Sequence, residues 1–363
     1  MRNNAPPVAD LAIFIGRFQP FHLGHQHAVQ RGMGLADHVL MLAGSDNQPR
    51  TPKNPWTVDE RRQMIWATMP SDVVSAPDCA PRVIVEGIDD FPYNDQQWIA
   101  GVQEKVAEVA KRLALNEKSK IILIGHEKDE SSYYLKCFPQ WKFYDTGYEE
   151  FEGAYERRID ATKIREFYFE NQIQYTVGTI SREVRSMLAY FRQHKPDEFA
   201  ALDAYYEDIK KYRKDWAGAP YSPKFITVDS VVIQSGHVLV VERGKNPGKG
   251  LLALPGGFLD EYERLLPGAL RELREETQID LQDEVLERCW RGPAEVFDDP
   301  GRSLRGRTVT HAFLFKLNDA KPLPKVKGAD DAVRAFWLPL SEVKSKDFFE
   351  DHYHIIQSML GKL

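Results

Sequence analysis

The stretch GRFQPFHLGH, residues 16–25, decides the fold of the first half of the chain. It follows the short apolar run LAIFI and places Gly16 where a strand should end and a helix should begin. A glycine there permits a close approach of backbone or ligand. Gly24 stands where the helix starts, so amide donors and the helix dipole face the loop. His22 and His25 are then positioned to direct ring N–H groups at one anion.

Short apolar runs alternate with helical patterns up to about residue 190. The runs with strand character are LAIFIG, HVLMLAGS, RVIVEGID, KIILIGH and WKFYDTG. The alternation predicts a Rossmann-like α/β domain, with a parallel sheet and helices on both faces. Ligands of such sheets bind at the carboxyl ends of the strands, where residues 16–25 lie.

The length and charge of the chain limit the classes of function. At 363 residues it is long enough for two domains, and a net charge of −6 gives no basic field for nucleic acid. The N-terminal apolar run is too short for a signal peptide or a membrane span. Cys79, Cys137 and Cys289 are scattered, without disulfide or zinc-site spacing. We therefore expect a cytoplasmic protein without nucleic-acid or membrane partners.

Two motifs of the first half resemble the nucleotidyltransferase superfamily. The decapeptide 16–25 matches its H-x-G-H signature, and IDATKIREF, residues 159–167, resembles its second motif, I-S-x-T-x-x-R. Asp160 stands in place of the usual serine, and an acid there is a good helix N-cap. The resemblance implies that a helix begins in this stretch and that its N-terminus and arginine hold the phosphates of ATP.

The same resemblance implies roles for individual residues. An arginine at position 165 can bridge phosphate oxygens bidentately, which a lysine cannot do. For the two histidines taken alone, ordinary partly buried residues are the alternative. The residues implied for catalysis are His22, His25 and Arg165. The residues implied for ATP and its phosphates are Gly16, Arg17, Phe18, Gly24, Thr162 and Lys163.

Two further stretches narrow the substrate. NPWTVDERRQMI, residues 54–65, resembles the N-P-x-T-x-x-E-R-x-x-M-I segment of archaeal-type nicotinamide-mononucleotide adenylyltransferases. DDFPYNDQQWI, residues 89–99, resembles their nicotinamide-binding region. Trp98 either stacks on the pyridinium ring or is a core residue of an amphipathic helix. Arg17 and Arg61 either contact phosphate or are surface charges. The residues implied for nicotinamide mononucleotide (NMN) are Asn54, Trp56, Arg61 and Trp98.

The implied reaction transfers an adenylyl group from ATP to NMN. The 5′-phosphate of NMN is already an anion, so it attacks the α-phosphorus of ATP in line and expels pyrophosphate. Positioning and charge neutralisation then supply most of the rate, with Mg²⁺ on the triphosphate. Another phosphorylated small molecule is the alternative acceptor.

A second domain is predicted after a charged helical stretch at residues 196–219. KFITVDSVVIQSGHVLVVERG predicts a hairpin whose turn lies at Ser235 and Gly236. More strands follow around one helix at residues 265–277, and a terminal helix is predicted within residues 345–363. The predicted boundaries are a nucleotidyltransferase domain over residues 8–192, a helical linker over 193–220 and an α/β/α domain over 221–363.

The stretch GGFLDEYERLLPGALRELREET, residues 256–277, carries an acidic motif. Its spacing, G-x5-E-x7-R-E-L-x-E-E, resembles the Nudix box through Glu276, and Gln278 replaces the next glycine of the box. Glu272, Glu275 and Glu276 share one helix face, where carboxylates repel each other unless a cation neutralises them. Hard oxygen ligands suit Mg²⁺ or Mn²⁺.

The Nudix resemblance implies a metal-dependent hydrolase site. Glu275 is implied as a catalytic carboxylate that binds metal through water, and Glu263 with Arg271 as a structural ion pair. Asp330 and Asp331 are both candidates for a base outside the box, and the choice stays open. The implied ligands of Mg²⁺, with Mn²⁺ as the alternative, are Glu272, Glu276 and the carbonyl of Gly256.

DDPGRSLRGRTVTHAF, residues 298–313, bears on the hydrolase substrate. It resembles a stretch of Nudix domains that handle ADP-ribose, and of Nudix-derived regulators that sense it. Arg302, Arg305 and Arg307 are implied to bind the diphosphate or the ribose; the alternative is an exposed basic hairpin.

The order of the two domains resembles the bifunctional family of NMN adenylyltransferase/ADP-ribose pyrophosphatases. The resemblance implies that one domain makes NAD and the other hydrolyses ADP-ribose to AMP and ribose 5-phosphate. A Nudix domain that only senses ADP-ribose and regulates the first domain is the alternative. We expect a homo-oligomer whose small-molecule partners are ATP, NMN, NAD and ADP-ribose.

Overall fold

The computed structural model describes residues 7–74, 80–127, 130–147 and 159–363. The chain divides into two compact units, Met1–Asp203 and Ala204–Leu363. Cys137 and Cys289 are free thiols, and Cys79 lies outside the described residues. Over the described ranges, no helix has both the length and the apolar character needed to cross a membrane.

The first unit alternates strands with helices, as the sequence predicts. Its strands are β1 (Ala9–Gly16), β2 (Ala36–Ala43), β3 (Val83–Gly87), β4 (Ile121–Gly125) and β5 (Lys142–Asp145). Its helices are α1 (Leu23–Leu35), α2 (Val58–Ala67), α3 (Ser71–Val74), α4 (Asp95–Arg112), α5 (Ala161–Phe169) and α6 (Arg182–His194), with 3-10 turns at Glu130–Lys136 and Ile173–Thr176. Helix α7 (Pro196–Asp215) contains the point at which the two units divide.

The strands of the first unit form one parallel sheet. In the described part of the chain the strand order is β3-β2-β1-β4-β5, and every neighbouring pair is parallel. The central strands are nearly continuous apolar runs because both faces of such a sheet are buried. The predicted fold class of this unit is confirmed.

Helices cover the two faces of this sheet. Side chains alternate along a strand, and one face of β1 packs with α4; this cluster includes Leu11, Ile13, Ile15, Val102, Val106 and Val109. On the opposite face α1 approaches so closely that a Cβ on Gly32 would lie 2.5 Å from Cδ1 of Ile124. The carboxyl ends of the strands are level with each other, since Gly44 donates from its amide to the carbonyl of Gly16 at 3.0 Å. The loops that carry the predicted site residues therefore gather at one edge.

The second unit is built on a mixed sheet. Its strands are β6 (Lys224–Gln234), β7 (His237–Arg243), β8 (Leu252–Ala253), β9 (Gly256–Phe258), β10 (Glu295–Phe297), β11 (Arg307–Lys316) and β12 (Ala332–Pro339). Its helices are α8 (Leu265–Thr277), α9 (Asp283–Cys289) and α10 (His352–Leu360), with 3-10 turns at Leu340–Glu342 and Ser345–Asp347. The sheet order is β10-β11-β6-β7-β12, with β8 on β7 and β9 on β6.

The pairing in this sheet confirms the predicted hairpin. β6 pairs with β7 antiparallel, and the turn residues Ser235 and Gly236 have φ angles of 48° and 72°, as a two-residue hairpin turn requires. β6 is also parallel to β11. The apolar face of α8, including Leu270 and Leu273, packs against buried residues of this sheet. The predicted terminal helix is present as α10.

Candidate active sites

The H-x-G-H motif forms the N-terminus of α1, and its two histidines cap the helix reciprocally. Nδ1 of His22 accepts from the amide of His25 at 3.3 Å, and Nδ1 of His25 accepts from the amide of His22 at 3.3 Å. The two rings are stacked, with centroids 3.5 Å apart. Because each Nδ1 is an acceptor, each neutral ring carries its proton on Nε2. The fold therefore fixes both the position and the tautomer of this pair.

The glycines of the motif make room for aromatic rings. A Cβ on Gly16 would lie 2.7 Å from the Phe18 ring, and one on Gly24 would lie 3.1 Å from the His22 ring. Phe18 has a φ of 53° and is 1% exposed, and its ring meets His25 edge-on at 4.9 Å. Any contact of Phe18 with a nucleotide is therefore made by its backbone, while its side chain supports His25.

The second motif caps α5 and is joined to the first motif. Oδ1 of Asp160 accepts from the amide of Thr162 at 2.7 Å, which confirms the predicted N-cap. Arg165 donates from Nη1 to the carbonyl of Gln19 at 2.6 Å and from Nη2 to Oγ1 of Thr162 at 3.2 Å. Burial lowers the pKa of Arg165 to about 10. Lys163 is exposed and lies 3.4 Å from Glu166.

Arg61 is buried at the carboxyl edge of the sheet rather than exposed. Its Nη1 donates to the carbonyls of Arg17 at 2.6 Å and Gly44 at 2.7 Å, and its Nε donates to the carbonyl of Thr57 at 3.3 Å. It is 1% exposed, and burial lowers its pKa to about 10. The surface-charge alternative for Arg61 is thus wrong. Arg61 positions the loops after β1 and β2, and its phosphate role stays a prediction.

Asn54 and Trp56 lie in a segment that Gln19 holds in place. Nε2 of Gln19 donates to the carbonyl of Trp56 at 2.8 Å, and the Trp56 amide donates to Oε1 of Gln19 at 3.1 Å. Within the described ranges, Oδ1 of Asn54 and Nε1 of Trp56 are buried without a hydrogen-bond partner. Gln19 was not predicted as a site residue, because its partners are distant in sequence.

Trp98 lies on α4 and is half-buried. Its ring packs against the core of the first unit, 5.8 Å from the Phe138 ring and 6.3 Å from the Tyr134 ring. Both alternatives for this residue therefore stay open. At the same edge of the sheet, Nδ1 of His126 lies 3.2 Å from Oδ1 of Asp145, a pair that the sequence motifs did not indicate.

Helix α8 presents the acidic motif of the second unit. Arg271 donates from Nε and Nη2 to the two oxygens of Glu263 at 2.9 Å each, so the predicted structural ion pair is confirmed. Nη1 of the same arginine reaches Glu272 at 2.9 Å and Glu275 at 3.1 Å. Burial raises the pKa of Glu272, against the effect of Arg271. The side chain of Glu275 is 49% exposed.

Glu276 is the most deeply buried carboxylate of the motif. Its Oε2 accepts from the amide of Gly256 at 3.0 Å, and the residue is 8% exposed. Burial raises its pKa to about 8, assisted by Glu272 and opposed by the Gly256 hydrogen bond. At the end of α8, Gln278 adopts the left-handed conformation, with φ 43°. This is the conformation for which the Nudix pattern uses glycine, and a non-glycine residue there costs about 1 kcal/mol.

The carboxylates of the acidic motif are bound by neighbouring groups of the chain. Among the residues that the structure describes, no three His, Cys, Asp or Glu side chains stand together in the arrangement of a metal-binding cluster. Arg271 donates hydrogen bonds to Glu272 and Glu275, and the amide of Gly256 donates one to Glu276. Asp331 pairs with Lys245 at 2.5 Å, and Asp330 has a φ of 53°. The choice between these two aspartates as the base stays open.

The three arginines of residues 298–313 have different environments. Arg302 donates from Nε and Nη2 to the two oxygens of Asp351 at 2.8 and 2.9 Å, with both side chains almost wholly buried. Arg305 lies over the Phe258 ring, 5.1 Å from its centroid. Arg307 lies 3.5 Å from Asp298. The exposed-hairpin alternative does not describe Arg302, whose Nε and Nη2 donate to Asp351 in a buried ion pair.

Comparisons with known proteins cover both halves of the chain. The family model of the NUDIX domain matches residues 223–359, and that of the cytidylyltransferase-like family matches residues 13–177. A nicotinamide/nicotinic acid mononucleotide adenylyltransferase of Acinetobacter baylyi is 40% identical over 164 residues, 45% of this chain and 78% of that protein. An ADP-ribose pyrophosphatase of Methanocaldococcus jannaschii is 29% identical over 153 residues, 42% of this chain and 79% of that protein.

Two solved structures from Francisella tularensis resemble the whole chain. One is a bifunctional NMN adenylyltransferase/ADP ribose pyrophosphatase, with 33% identity, a TM-score of 0.84 and coverage of 98% of this chain and 99% of that chain. The other, a complex with AMP and a manganese ion, has 32% identity, a TM-score of 0.83 and coverage of 97% and 99%. Identity and coverage at this level show that the protein belongs to the family of bifunctional NMN adenylyltransferase/ADP-ribose pyrophosphatases.

Proposed function

We propose that the first unit transfers an adenylyl group from ATP to NMN and that the second unit hydrolyses ADP-ribose. The observation that carries the first activity is the reciprocal capping of His22 and His25 at the start of α1. It fixes two ring N–H donors at the carboxyl edge of a parallel sheet, where nucleotides bind in this class of fold. Charge that grows on a transferred phosphate is stabilised best by donors already held in place.

Each residue of the first site then has a task. The phosphate of NMN attacks the α-phosphorus of ATP, the bond to the bridging oxygen of pyrophosphate breaks, and no proton has to move before attack. The Nε2–H groups of His22 and His25 stabilise the oxygens that gain charge. Arg165 and the N-terminus of α5 hold the triphosphate, with Thr162 and Lys163 beside them. Arg17 contributes to the phosphate side. The acceptor side is formed by Asn54, Trp56, Arg61 and Trp98.

The acidic residues of the second unit fit a hard divalent cation. The donor set consists of oxygen atoms alone, which Mg²⁺ and Mn²⁺ prefer. Glu272 is half-buried and Glu276 is buried, one turn apart on α8, and burial raises the pKa of both carboxyls. A divalent cation that binds both carboxylates favours their ionised forms. We infer that Glu272, Glu276 and the Gly256 carbonyl hold Mg²⁺, or Mn²⁺ in its place.

When bound, the metal polarises the diphosphate and activates a water molecule. The chain supplies the rest of the hydrolytic site. The Glu263–Arg271 pair fixes the loop that precedes α8, and Glu275 stays accessible to water at the helix surface. Arginines beside β9 orient the anionic substrate. A regulatory domain that only senses ADP-ribose would not require two buried carboxylates on one helix face, and catalysis is therefore preferred.

Product analysis of the purified full-length protein tests both activities. With ATP, NMN and Mg²⁺ we expect NAD and pyrophosphate; with ADP-ribose and Mg²⁺ or Mn²⁺ we expect AMP and ribose 5-phosphate. The His25→Ala variant should lose NAD synthesis by about 100-fold, the scale of losing one preorganised donor, and keep ADP-ribose hydrolysis. Binding of ADP-ribose without release of AMP with either metal would establish the sensing alternative instead.

A further inference from the structure

Two arginines of the second unit converge on one buried aromatic ring. The guanidinium carbon of Arg243 lies 4.2 Å from the centroid of the Phe349 ring, and that of Arg305 lies 5.9 Å from the same centroid. Phe349 is 2% exposed. Arg305 also lies over the ring of Phe258, which follows Gly256 by two residues on β9. Like charges close to one ring repel each other, and an anion in contact with both guanidinium groups relieves that repulsion.

The carboxylate that pairs with Arg305 balances these positive charges only in part. Oε2 of Glu350 lies 3.7 Å from Nη2 of Arg305, which is an ion pair but too long for a hydrogen bond. The Glu350 side chain is 6% exposed, and its Oε1 is buried without a hydrogen-bond partner within the described ranges. Its backbone has a φ of 47°, which is strained for a non-glycine residue. The Glu350 carboxylate therefore places one negative charge beside the positive charges of Arg243 and Arg305, and its ion pair with Arg305 is a long one.

Arg243 retains donors for a ligand. In the part of the chain that the structure describes, its side chain donates one hydrogen bond, from Nε to the carbonyl of Pro247 at 2.9 Å. The terminal amino groups of the guanidinium are not used in that bond. A planar guanidinium binds two phosphate oxygens in parallel when its terminal donors are available.

The two arginines lie beside the proposed metal site. Arg243 ends β7, and the adjacent β8 leads within three residues to Gly256, whose amide binds Glu276. Arg243 thus lies on the strand next to the segment whose amide binds a carboxylate assigned to the metal.

We propose that Arg243 and Arg305 form a two-arginine clamp for the diphosphate of ADP-ribose, supported by Phe349. Glu350 is the counter-ion of the clamp when no ligand is bound, and the diphosphate replaces it. The inference rests on the proposed hydrolysis of ADP-ribose and adds Arg243, which no sequence motif indicated. Arg302 is not part of the clamp because Asp351 neutralises its charge in a buried ion pair.

Calorimetric titration of ADP-ribose into metal-free protein tests the clamp without any contribution from catalysis. Arg243→Gln and Arg305→Gln should each raise the Kd for ADP-ribose by about tenfold or more, the scale of a lost hydrogen bond to a charged group. Arg243→Lys should give an intermediate loss, because it keeps the charge and loses the planar fork. With Mg²⁺ present, KM should rise more than kcat falls.

Arg334→Gln is the matched control. The Arg334 guanidinium also lies over an aromatic ring, 4.4 Å from the Phe336 centroid, and it pairs with Glu242 at 2.6 Å. Neighbouring residues of a strand point to opposite faces of the sheet, so Glu242 and its partner lie on the face opposite Arg243. This variant should bind ADP-ribose as the wild type does.

Each outcome separates the clamp from the proposed function. If the wild type binds and hydrolyses ADP-ribose while Arg243→Gln and Arg305→Gln bind it equally well, the clamp is wrong and the function stands. If the wild type neither binds nor hydrolyses ADP-ribose, the proposed hydrolysis is wrong, and the clamp for ADP-ribose is wrong with it. Should Arg243→Gln lower the melting temperature strongly, Arg305→Gln and Arg243→Lys decide the question at temperatures where they are folded.

Discussion

Arg165 donates a 2.6 Å hydrogen bond from Nη1 to the backbone carbonyl of Gln19, 146 residues earlier in the chain. The Gln19 side chain in turn holds the backbone of Trp56 through two hydrogen bonds. Three separate sequence motifs are thereby fixed to one another at the carboxyl edge of the sheet. Arg165 consequently has two functions in the proposal: it holds the loop that carries the histidines, and it presents its remaining donors to phosphate.

Replacing Arg165 by lysine should impair adenylyl transfer by about 100-fold, because a lysine loses the planar fork that serves the loop and the phosphate together. The initial rate of NAD formation measures the effect. ADP-ribose hydrolysis should be unchanged, since its residues lie in the other unit. Arg182→Lys, an exposed position on α6, is the control and should behave as the wild type. An Arg165→Lys variant with full activity would contradict a phosphate role.

Trp98→Ala should separate the two interpretations of that residue. Stacking on a pyridinium ring contributes about 0.5–2 kcal/mol, so a ligand contact predicts a several-fold rise in the KM for NMN and little change in that for ATP. A purely structural role predicts a lower melting temperature with unchanged KM values. Trp66→Ala, at a tryptophan that is 37% exposed, controls for the loss of an indole. Steady-state kinetics and thermal unfolding of both variants give the answer.

Glu60 gives the first unit a stability that depends on pH. Burial opposes its ionisation, but hydrogen bonds from Arg50 and Lys195 prevail and lower its pKa to about 2. A lowered pKa contributes stability above the unfolded value of about 4.5, and this stability is lost as the pH falls towards 2. Glu60→Gln should therefore lower the free energy of unfolding by about 2–3 kcal/mol at pH 7 and by less than half of that at pH 3.

Thermal unfolding of wild type and Glu60→Gln from pH 7 to pH 3 measures this difference. Glu104→Gln, an exposed position on α4, should show no comparable dependence. If the difference in unfolding free energy between wild type and Glu60→Gln is the same at every pH in this range, packing rather than charge explains the lost stability.

Local chemistry made much of this architecture predictable from the sequence. Apolar runs and helical periodicity located the long strands of both units and the helices α8 and α10, because burial repeats with the period of the backbone. The short strands β8, β9 and β10 and the helix α9 were not predicted. The left-handed conformation at Gln278 was foreseeable from the glycine that the Nudix pattern has there. Asp160 as an N-cap followed from the preference of helix N-termini for short acids.

The partners of charged side chains were not predictable in the same way. Arg302, Arg305 and Arg307 are equivalent in a linear pattern, yet Asp351 neutralises the first from 49 residues away. In the sequence Arg243 is an ordinary residue at the end of a strand, and only the structure shows that it and Arg305 both lie over Phe349. Such contacts depend on how distant segments pack, and single-residue preferences carry no information about them.

Glu276→Gln tests whether the second unit is a metal-dependent hydrolase. The substitution keeps the shape of the side chain and its bond to Gly256, but it removes one charge from the proposed Mg²⁺ or Mn²⁺ site. Release of AMP from ADP-ribose should fall by orders of magnitude, while NAD synthesis continues and binding of ADP-ribose in metal-free buffer largely survives. Glu284→Gln, an exposed position on α9, should remain fully active. If Glu276→Gln still hydrolyses ADP-ribose at the wild-type rate with either metal, Glu276 is not a ligand, and its burial against β9 serves the fold alone.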